Sequence, residues 1–389
     1  MKSDPLKIGH FHPVWLPNTM TWLYRQISGL NTYSENYIYC EIKENLDQFP
    51  FDRLRCFSDF SSGTKIRDRI TKKMGFSHGL NSLVYAMKRD KIDILHSHFG
   101  HIGVTGAEIA KEIGIPHVVS FYGMDIHQIP KKYPHFALKY DQMFADTDRV
   151  FCEGSFMADS IIKLGANPNQ MCVHPLGIEL NKIEFATREW SPDKPLRVLI
   201  AASFRQKKGI PLAIEALGTV SKHTNLEISV VGDSGNDVDS LKEKNRIFDV
   251  VKKYQLQEKV TFLGFKSHDE LFKIAKEHHL FIQPSIHAED GDSEGGIPVT
   301  LIEMAATGLA IVTSNHCDIP ALIRDRDTGW IANENDLEDL IITIERAIND
   351  ISKWPEITKR ARKHIESNYN AHTQSKKLFE EYERIINAK

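Results

Sequence analysis

The sequence predicts an α/β protein made of two doubly wound domains with parallel sheets. Strand and helix patterns alternate along the chain, and a polar, proline-bearing stretch at 180–195 separates two such series. The length of 389 residues also favours two domains, because single cores stop growing near ~250–300 residues. In such sheets ligands bind outside the carboxyl ends of the strands. We therefore expect the functional loops to follow strands and the two domains to face one cleft.

The first series begins with a strand at 6–10 and a helix ending at residue 30, which Thr19 or Thr21 is placed to cap. Short runs rich in β-branched and aromatic residues predict its other strands, and apolar residues at helical spacing predict its other helices. We place strands at 37–42, 53–57, 92–100, 116–121, 149–152 and 171–175, and helices at 66–88 with an interruption at 75–79, at 101–113, at 136–145 and at 155–164.

The second series follows the same rules. We place strands at 197–202, 226–232, 260–263, 280–283 and 310–313, and helices at 211–220, 239–254, 269–277 and 298–306. Three helical segments then fill 337–389, and the middle one opens after Trp354-Pro355. We assign residues 1–185 to the first domain and 186–369 to the second, and expect the last helix, at 370–389, to pack back on the first domain.

The amino-acid composition is that of a globular chain and limits the classes of partner that the protein is expected to bind. Hydrophobic residues make up 41% and charged residues 26%, and a formal net charge of −3 gives no case for nucleic acid as a partner. The five cysteines are scattered without a Cys-x-x-Cys pair, which favours a reduced, cytoplasmic protein. The N-terminus shows no apolar signal region, and no stretch approaches the ~18 apolar residues of a spanning helix. Peripheral association with the inner face of a membrane stays open.

One stretch, EGGIPVTLIE from Glu294 to Glu303, combines an acidic residue, a flexible loop and a helix start. The paired glycines allow backbone to approach a ligand closely, and the first helical amides favour a bound anion. A carboxylate can accept hydrogen bonds from the paired hydroxyls of a ribose or sugar. The alternative is an ordinary buried α/β loop with one solvated glutamate. The candidate ligand-binding residues between the two glutamates are Gly295, Gly296, Ile297, Pro298, Val299 and Thr300, with Pro298 in the first helical turn.

A basic loop at 203–209 follows a strand and precedes a helix in the same domain. Its Arg205 and Lys208 can neutralise a diphosphate, with the helix start behind them. Alone, this loop is better explained as a solvent-exposed basic turn. Together with the Glu294–Glu303 stretch, phosphate binding becomes the better interpretation.

Polar residues also end strands in the first domain. His96 and His98 alternate at the end of one strand, so we expect only one of them, His98, to face the loop side, where it can donate a hydrogen bond to a substrate hydroxyl. We regard His96 as a structural histidine. Asp125 follows the next strand and either binds sugar hydroxyls or caps the segment after it.

The acidic turn Glu289-Asp290-Gly291-Asp292 looks like a metal-binding Asp-x-Asp motif. A site for a hard cation needs several converging oxygens, however, and solvated acids on a surface turn explain these residues better. We therefore predict no metal ligands in this chain.

Several motifs of the second domain resemble those of the family 4 glycosyltransferases, retaining enzymes that have the GT-B fold. The matching stretches are AASFRQKKGI at 201–210, VVGD at 230–233, FLG at 262–264, QPS at 283–285 and the run from Glu294 to Gly308. In the first domain, DILHSHFG at 93–100 and VVSFYGMD at 118–125 look like the family's His-bearing and Gly-x-Asp loops. Together these stretches span most of the chain.

The resemblance implies that the second domain holds a nucleotide-sugar donor, that the first holds the acceptor, and that no metal or other cofactor is obligatory. It assigns Glu303 to the donor ribose, Glu294 to the donor sugar, Lys208 to the diphosphate and His98 to the reacting sugar carbon. Eight residues separate Glu294 from Glu303, one more than in the family pattern. Either Gly295 is a one-residue bulge that restores Glu294, or Glu294 does not take that role. The family's phosphate-binding arginine stands near Ser203, so Arg205 is its candidate substitute from a shifted position.

We therefore predict a retaining hexosyltransferase that moves a sugar from a UDP- or GDP-linked donor to a saccharide or lipid-linked acceptor in polysaccharide synthesis. Two alternatives stay open. A nucleotide-sugar epimerase of the same architecture would convert the donor without an acceptor. A catalytically silent scaffold would bind the nucleotide sugar without releasing the nucleotide from it.

Overall fold

The computed structural model describes residues 5–17, 20–73 and 79–388 and confirms the α/β fold class. The chain folds into two compact units, Met1–Gly177 with Ala371–Lys389, and Ile178–Asn370. The proposed cap Thr19 and most of the interruption predicted at 75–79 lie outside the described residues. Among the described residues, no helix combines the length and the apolar character needed to cross a membrane.

The first unit is a parallel sheet with helices on both faces. Its main sheet has the order β5-β3-β1-β6-β7-β8-β9, and β2 pairs with β4 beside it. The strands are β1 (Lys7–Phe11), β2 (Val14–Trp15), β3 (Glu35–Cys40), β4 (Ile42–Lys43), β5 (Leu54–Cys56), β6 (Ile94–His98), β7 (His117–Ser120), β8 (Arg149–Cys152) and β9 (Met171–Val173), and the helices are α1 (Thr21–Gly29), α2 (Ser62–Lys73), α3 (Asn81–Asp90), α4 (Gly100–Ile113), α5 (Gln128–Lys132), α6 (Pro134–Ala145) and α7 (Ser155–Lys163).

The second unit repeats this plan with six parallel strands in the order β12-β11-β10-β13-β14-β15. The strands are β10 (Leu196–Ala201), β11 (Leu226–Val231), β12 (Val260–Gly264), β13 (Leu280–Gln283), β14 (Ala310–Ser314) and β15 (Trp330–Ala332), and the helices are α8 (Ile210–Val220), α9 (Val238–Lys253), α10 (His268–Lys276), α11 (Val299–Ala306), α12 (Ile319–Leu322), α13 (Leu337–Asn349) and α14 (Trp354–Asn368). The patterns in the sequence did not predict β15, α5 or α12, which are only three to five residues long.

The last helix, α15 (Ala371–Asn387), belongs to the first unit. Its buried Leu378 and Tyr382 pack in a core with Ile8 of β1 and Ile94 of β6. The hydroxyl of Tyr382 lies 2.6 Å from Nδ1 of His96. The chain therefore completes the core of its first unit with its last residues.

The predicted boundary at residue 185 is wrong by several residues. Ile178, Leu180 and Ile183 are buried in the second unit's core, and the Ile178 amide donates to the carbonyl of Tyr369. Further along, the amide of Ala186 donates to the carbonyl of Thr307. The stretch was predicted to separate the two domains because polar residues surround these apolar ones, but its buried residues pack against the second unit.

In both main sheets the strand order reverses at one point, between β1 and β6 and between β10 and β13. At such a point the two following loops diverge to opposite faces of the sheet and leave a crevice. The loops that follow β10 and β13 are the basic loop and the loop that leads to Glu294. The sheet topology therefore brings the two strongest sequence motifs of the second unit to one place.

Candidate active site

Gly209 allows the two loops of the second unit to touch. It has φ +64°, and a β-carbon there would lie 2.0 Å from the carbonyl oxygen of Pro284. Just before it, the carbonyl of Lys207 accepts a hydrogen bond from the Ile286 amide. This close backbone approach sets the Lys208 side chain beside the loop that carries Glu294.

Lys208 and Glu294 form a buried ion pair at this contact. Nζ of Lys208 lies 2.8 Å from Oε2 of Glu294, and their side chains are 17% and 6% exposed. The other carboxylate oxygen, Oε1, accepts from the hydroxyl of Ser285 at 2.9 Å and lies 3.4 Å from the side-chain amide of Gln283. Glu294 is thus held from both the β10 side and the β13 side.

The charge of Glu294 depends on these neighbours. Burial alone would raise the pKa of its carboxyl group, but the ammonium groups of Lys208 and Lys207 lower that pKa to about 2. Glu294 is therefore ionised at neutral pH although it is buried. A carboxylate held in this way can accept hydrogen bonds from hydroxyl groups of a bound sugar.

Gly295 forms a tight turn directly after Glu294. Its φ is +71°, and the amide of Gly296 donates to the carbonyl of Glu294 at 2.9 Å across a three-residue turn. This tight turn lies at the position where a one-residue bulge was predicted.

Helix α11 begins one residue later than predicted, because Pro298 is its N-cap residue and not its first helical residue. The first helical bonds are donated by Leu301 and Ile302 to the carbonyl of Pro298, so the amides of Val299 and Thr300 precede them. The side chain of Ile297 is buried in the core. Only the backbone of Ile297 is therefore placed to meet a ligand.

Glu303 lies in α11 and is 1% exposed. Its Oε2 is 3.5 Å from Nδ1 of His268, the first residue of α10. This arrangement puts a second buried carboxylate behind the helix start.

Arg205 is the most exposed of the predicted cations. Its guanidinium lies 3.4 Å from Asp237, and its side chain is 50% exposed. By contrast, Lys207 contacts Asp292 and the carbonyl of Ser293, both at 3.0 Å. The acidic turn at 289–292 thus shields Lys207, whereas Arg205 is open to solvent.

Sequence reasoning missed His316 and Glu334, which support Glu294 from behind. Nε2 of the buried His316 accepts a hydrogen bond from the backbone N–H of Glu294 at 3.1 Å. Nδ1 of the same ring lies 2.9 Å from the carboxylate of Glu334. The same carboxylate holds Nδ1 of His287 at 2.7 Å. Burial would raise the pKa of Glu334, but its hydrogen bonds from His287 and His316 hold that pKa well below its usual range. The signal available in the sequence was a histidine just after a predicted strand.

In the first unit, His96 and His98 lie side by side and not on opposite faces. Their ring centroids are 4.3 Å apart, because residues two apart on a strand point to the same face. The expectation that only one faces the loop side is therefore wrong. Hydrogen bonds to Tyr382 at Nδ1 and to Ser120 at Nε2 engage both ring nitrogens of His96.

The hydrogen-bond partners of His98 define its tautomer. Asn36 donates from Nδ2 to the carbonyl of Ser34, so its Oδ1 faces Nε2 of His10 and must accept from it. Burial lowers the pKa of His10 to about 4, so this ring is neutral and its Nδ1 accepts from Nε2 of His98. Nδ1 of His98 then accepts from the Tyr122 hydroxyl at 2.8 Å. Both ring nitrogens of His98 are engaged, and bonding a substrate hydroxyl requires an exchange of partner.

Asp125 is buried and ties three loop amides together. Its carboxylate accepts from the N–H groups of Gly100 at 2.7 Å and of Tyr122 and Gly123 at 3.0 Å. Burial raises the pKa of Asp125 to about 6 despite these bonds. Asp125 thus joins the loop after β6 to the loop after β7, instead of capping the segment that follows it.

Comparison with protein families agrees with this geometry. The chain matches the model described as Glycosyl transferases group 1 over residues 182–364, and the model described as Glycosyltransferase Family 4 over residues 65–182. These two matches identify the chain as a glycosyltransferase. It is therefore an enzyme of the transferase class, and the second unit carries most of the group 1 match.

Several curated relatives are named as bacterial glycosyltransferases of polysaccharide or lipid-linked glycan synthesis. The amylovoran biosynthesis glycosyltransferase AmsK of Erwinia amylovora is 29% identical over 79% of this chain and 74% of its own length. The putative colanic acid biosynthesis glycosyltransferase WcaL of Escherichia coli K12 is 28% identical over 74% of this chain and 70% of its own. A UDP-Gal:alpha-D-GlcNAc-diphosphoundecaprenol alpha-1,3-galactosyltransferase of Escherichia coli is 25% identical over 70% of each chain. These relatives are thus glycosyltransferases named for exopolysaccharide or lipid-linked glycan synthesis.

Solved structures confirm the GT-B fold. Anabaena Alr3699/HepE in complex with UDP-glucose has a TM-score of 0.76 at 14% identity, covering 97% of this chain and 100% of that one. A glycosyltransferase from Rickettsia africae ESF-5 has a TM-score of 0.76 at 16% identity, covering 99% of both chains. At such identities the likeness concerns the fold alone.

Proposed function

We propose that this glycosyltransferase transfers a hexosyl group, with retention of configuration, from a UDP- or GDP-linked sugar to a saccharide on a lipid-linked acceptor. The observation that carries the proposal is the buried Lys208–Glu294 pair at the crevice between β10 and β13. It sets a cation for a diphosphate beside an ionised carboxylate for sugar hydroxyls. The relatives that act in polysaccharide synthesis support the acceptor class.

Lys208 and Arg205 are assigned to the departing nucleoside diphosphate. As the bond to the sugar breaks, negative charge grows on the leaving phosphate oxygens, and fixed cations stabilise that charge most. The amides of Val299 and Thr300 at the start of α11 add donors to the same anion. Because Lys208 is bound to Glu294, the arrival of phosphate gives this ammonium a second anionic partner.

Glu294 and Glu303 are assigned to the hydroxyl groups of the donor. Glu294 accepts from the sugar and Glu303 from the ribose. The sugar carbon passes through an oxocarbenium-like state, as in glycoside chemistry generally. We infer attack by the acceptor on the leaving-group face, and we place the reaction in the cytoplasm without an obligatory metal.

His98 and Asp125 are the candidate site residues of the first unit. Because both ring nitrogens of His98 are engaged, we assign it a place beside the reacting carbon, where it orients Tyr122. Asp125 holds the Gly100 turn next to it. In this proposal both residues shape the loops around the sugar.

The test is thermal-shift binding of UDP, GDP, ADP and their hexose conjugates, without added metal. We expect the wild type to respond to one nucleotide family. Glu303→Ala should weaken that binding by about 10- to 100-fold, since it removes charge-assisted hydrogen bonds worth roughly 1.5–3 kcal/mol. Glu303→Gln keeps the side-chain shape and one acceptor oxygen, so its nucleotide affinity should lie between those of the wild type and Glu303→Ala. A folded wild type that responds to no nucleotide would contradict the proposal.

A further inference from the structure

The first unit contains a pocket of about 610 Å³ beside the carboxyl end of β1. Phe11 ends that strand and lines the pocket, Lys65 and Arg69 line it from α2, and His101 lines it from the first turn of α4. All of the lining residues belong to the first unit. The proposed donor site does not account for this pocket.

Two cations from one helix line this pocket. Lys65 and Arg69 lie one helical turn apart, so their side chains share a face of α2. Nζ of Lys65 donates to the carbonyl of Ser58 at 3.1 Å, and Ser58 is itself a lining residue. Arg69 pairs with no carboxylate among the residues that the structure describes. Since Glu41 is the one acidic lining residue, the pocket carries a net positive formal charge.

His101 adds a buried polar atom, Nδ1, that has no hydrogen-bond partner within the described chain. Burial lowers the pKa of His101 to about 4, so the neutral ring carries one N–H. A buried polar atom without a partner is costly, and an occupant with acceptor oxygens would satisfy it.

Exposed apolar side chains accompany these polar groups. Ile42 lines the pocket and is 53% exposed, and Ile66 and Ile70, which follow Lys65 and Arg69 directly in α2, are 55% and 52% exposed. Phosphate and hydroxyl groups offer no apolar partner for such side chains. Phosphate groups joined to a hydrocarbon chain offer partners to both the cations and the isoleucines.

We propose that this pocket binds the phosphate groups of a diphosphate-linked lipid acceptor, with Lys65, Arg69 and His101 as the contacting residues. The inference rests on the proposed function, which requires an acceptor besides the nucleotide sugar. The two cations neutralise phosphate oxygens, and the His101 N–H donates to one of them. Ile42 contacts the first carbons of the lipid chain.

The experiment measures binding of farnesyl diphosphate and of inorganic pyrophosphate to the full chain by calorimetry at about 0.15 M salt, where distant surface charges are largely screened. Arg69→Gln should weaken both probes by about tenfold, because a charge-assisted contact is lost. Arg67→Gln is the matched control: this exposed arginine of α2 lies 3.6 Å from Asp68 and does not line the pocket. Its affinities should stay within about twofold of the wild type.

Two further variants identify the class of ligand and the site where it binds. Ile42→Ser should weaken the binding of farnesyl diphosphate and leave the binding of pyrophosphate unchanged. If both probes bind with equal affinity and Ile42→Ser changes neither affinity, the pocket binds free phosphate groups and the lipid assignment is wrong. Any pyrophosphate that binds on the donor loops should be lost in Lys208→Met, whereas the binding that depends on Arg69 should persist in that variant. Binding lost in Lys208→Met and kept in Arg69→Gln would put the probes on the donor loops and overturn the inference.

These outcomes are independent of those for the donor. Nucleotide binding in the wild type, without Arg69-dependent binding of farnesyl diphosphate, would remove the pocket assignment and leave the proposed function standing. Arg69-dependent binding in a chain that binds no nucleotide would remove the proposed function. The first unit would then be left with a site for lipid phosphates.

Discussion

Glu294→Gln should destabilise the enzyme at neutral pH even without any ligand. The glutamine side chain has the shape of a protonated glutamate, so the variant resembles the chain with Glu294 neutral. The pKa of Glu294 is lowered to about 2, whereas an ordinary glutamate titrates near ~4.3. This difference corresponds to about 3 kcal/mol of unfolding free energy at neutral pH, and loss of one partner of a buried pair costs a similar amount.

The pH dependence of this loss has a defined sign. Because the pKa is lower in the folded chain than in the unfolded one, the stabilisation is present above the ordinary pKa and is lost as pH falls toward about 2. At pH 3 the difference between wild type and Glu294→Gln should shrink to about half of its value at pH 7. Groups other than Glu294 titrate alike in both proteins and cancel in this comparison.

The assay is urea unfolding followed by tryptophan fluorescence, since the second unit contains Trp190, Trp330 and Trp354. Lys208→Met and the double variant complete a thermodynamic cycle. The double variant should be more stable than the sum of the single effects predicts, by roughly 2–3 kcal/mol, because each single variant leaves one charge buried without its partner. Additive effects, or a stability difference that stays constant between pH 7 and pH 3, would refute the reasoning.

Three further predictions test other parts of the site. Asp125→Ala should lower stability by about 1–3 kcal/mol, because the amides of Gly100, Tyr122 and Gly123 lose their buried acceptor, and a chemical melt checks it. Gly209→Ala should destabilise the chain and abolish nucleotide binding, because the new β-carbon would lie 2.0 Å from a backbone carbonyl; normal binding in thermal shift would contradict this. His316→Gln keeps an acceptor for the Glu294 amide, whereas His316→Asn keeps only a donor toward Glu334. The Gln variant should therefore retain more sugar-transfer activity than the Asn variant. The reverse order in an activity assay would contradict the supporting role of His316.

Local patterns predicted much of the fold. The strands β8 and β13 were predicted with their observed ends, because each is a short apolar run bounded by polar residues. Helix α11 was predicted one residue too long, because proline suits either the first helical position or the cap before it. The helices α5 and α12, of five and four residues, were missed because they are too short to show a helical period.

The missing parts of the site depend on the order of strands in space. Glu334 follows β15, which was not predicted, so its contact with His316 was not predicted either. Likewise, His10 and Asn36 reach His98 only because β1 lies between β3 and β6 in the sheet. Hydrophobic periodicity identifies strands but does not specify their lateral order. By contrast, Lys208 and Glu294 were recognised from their motifs, without knowledge that they touch.

The central claim is that the second unit holds a nucleotide sugar on the loops after β10 and β13. Amide hydrogen exchange of the full chain, with and without the nucleotide sugar that binds in the thermal-shift panel, tests it most directly. We expect ligand-dependent protection at 203–210 and 294–303, and loss of that protection in Glu303→Ala. Protection confined to other segments, with these two unchanged, would contradict the account.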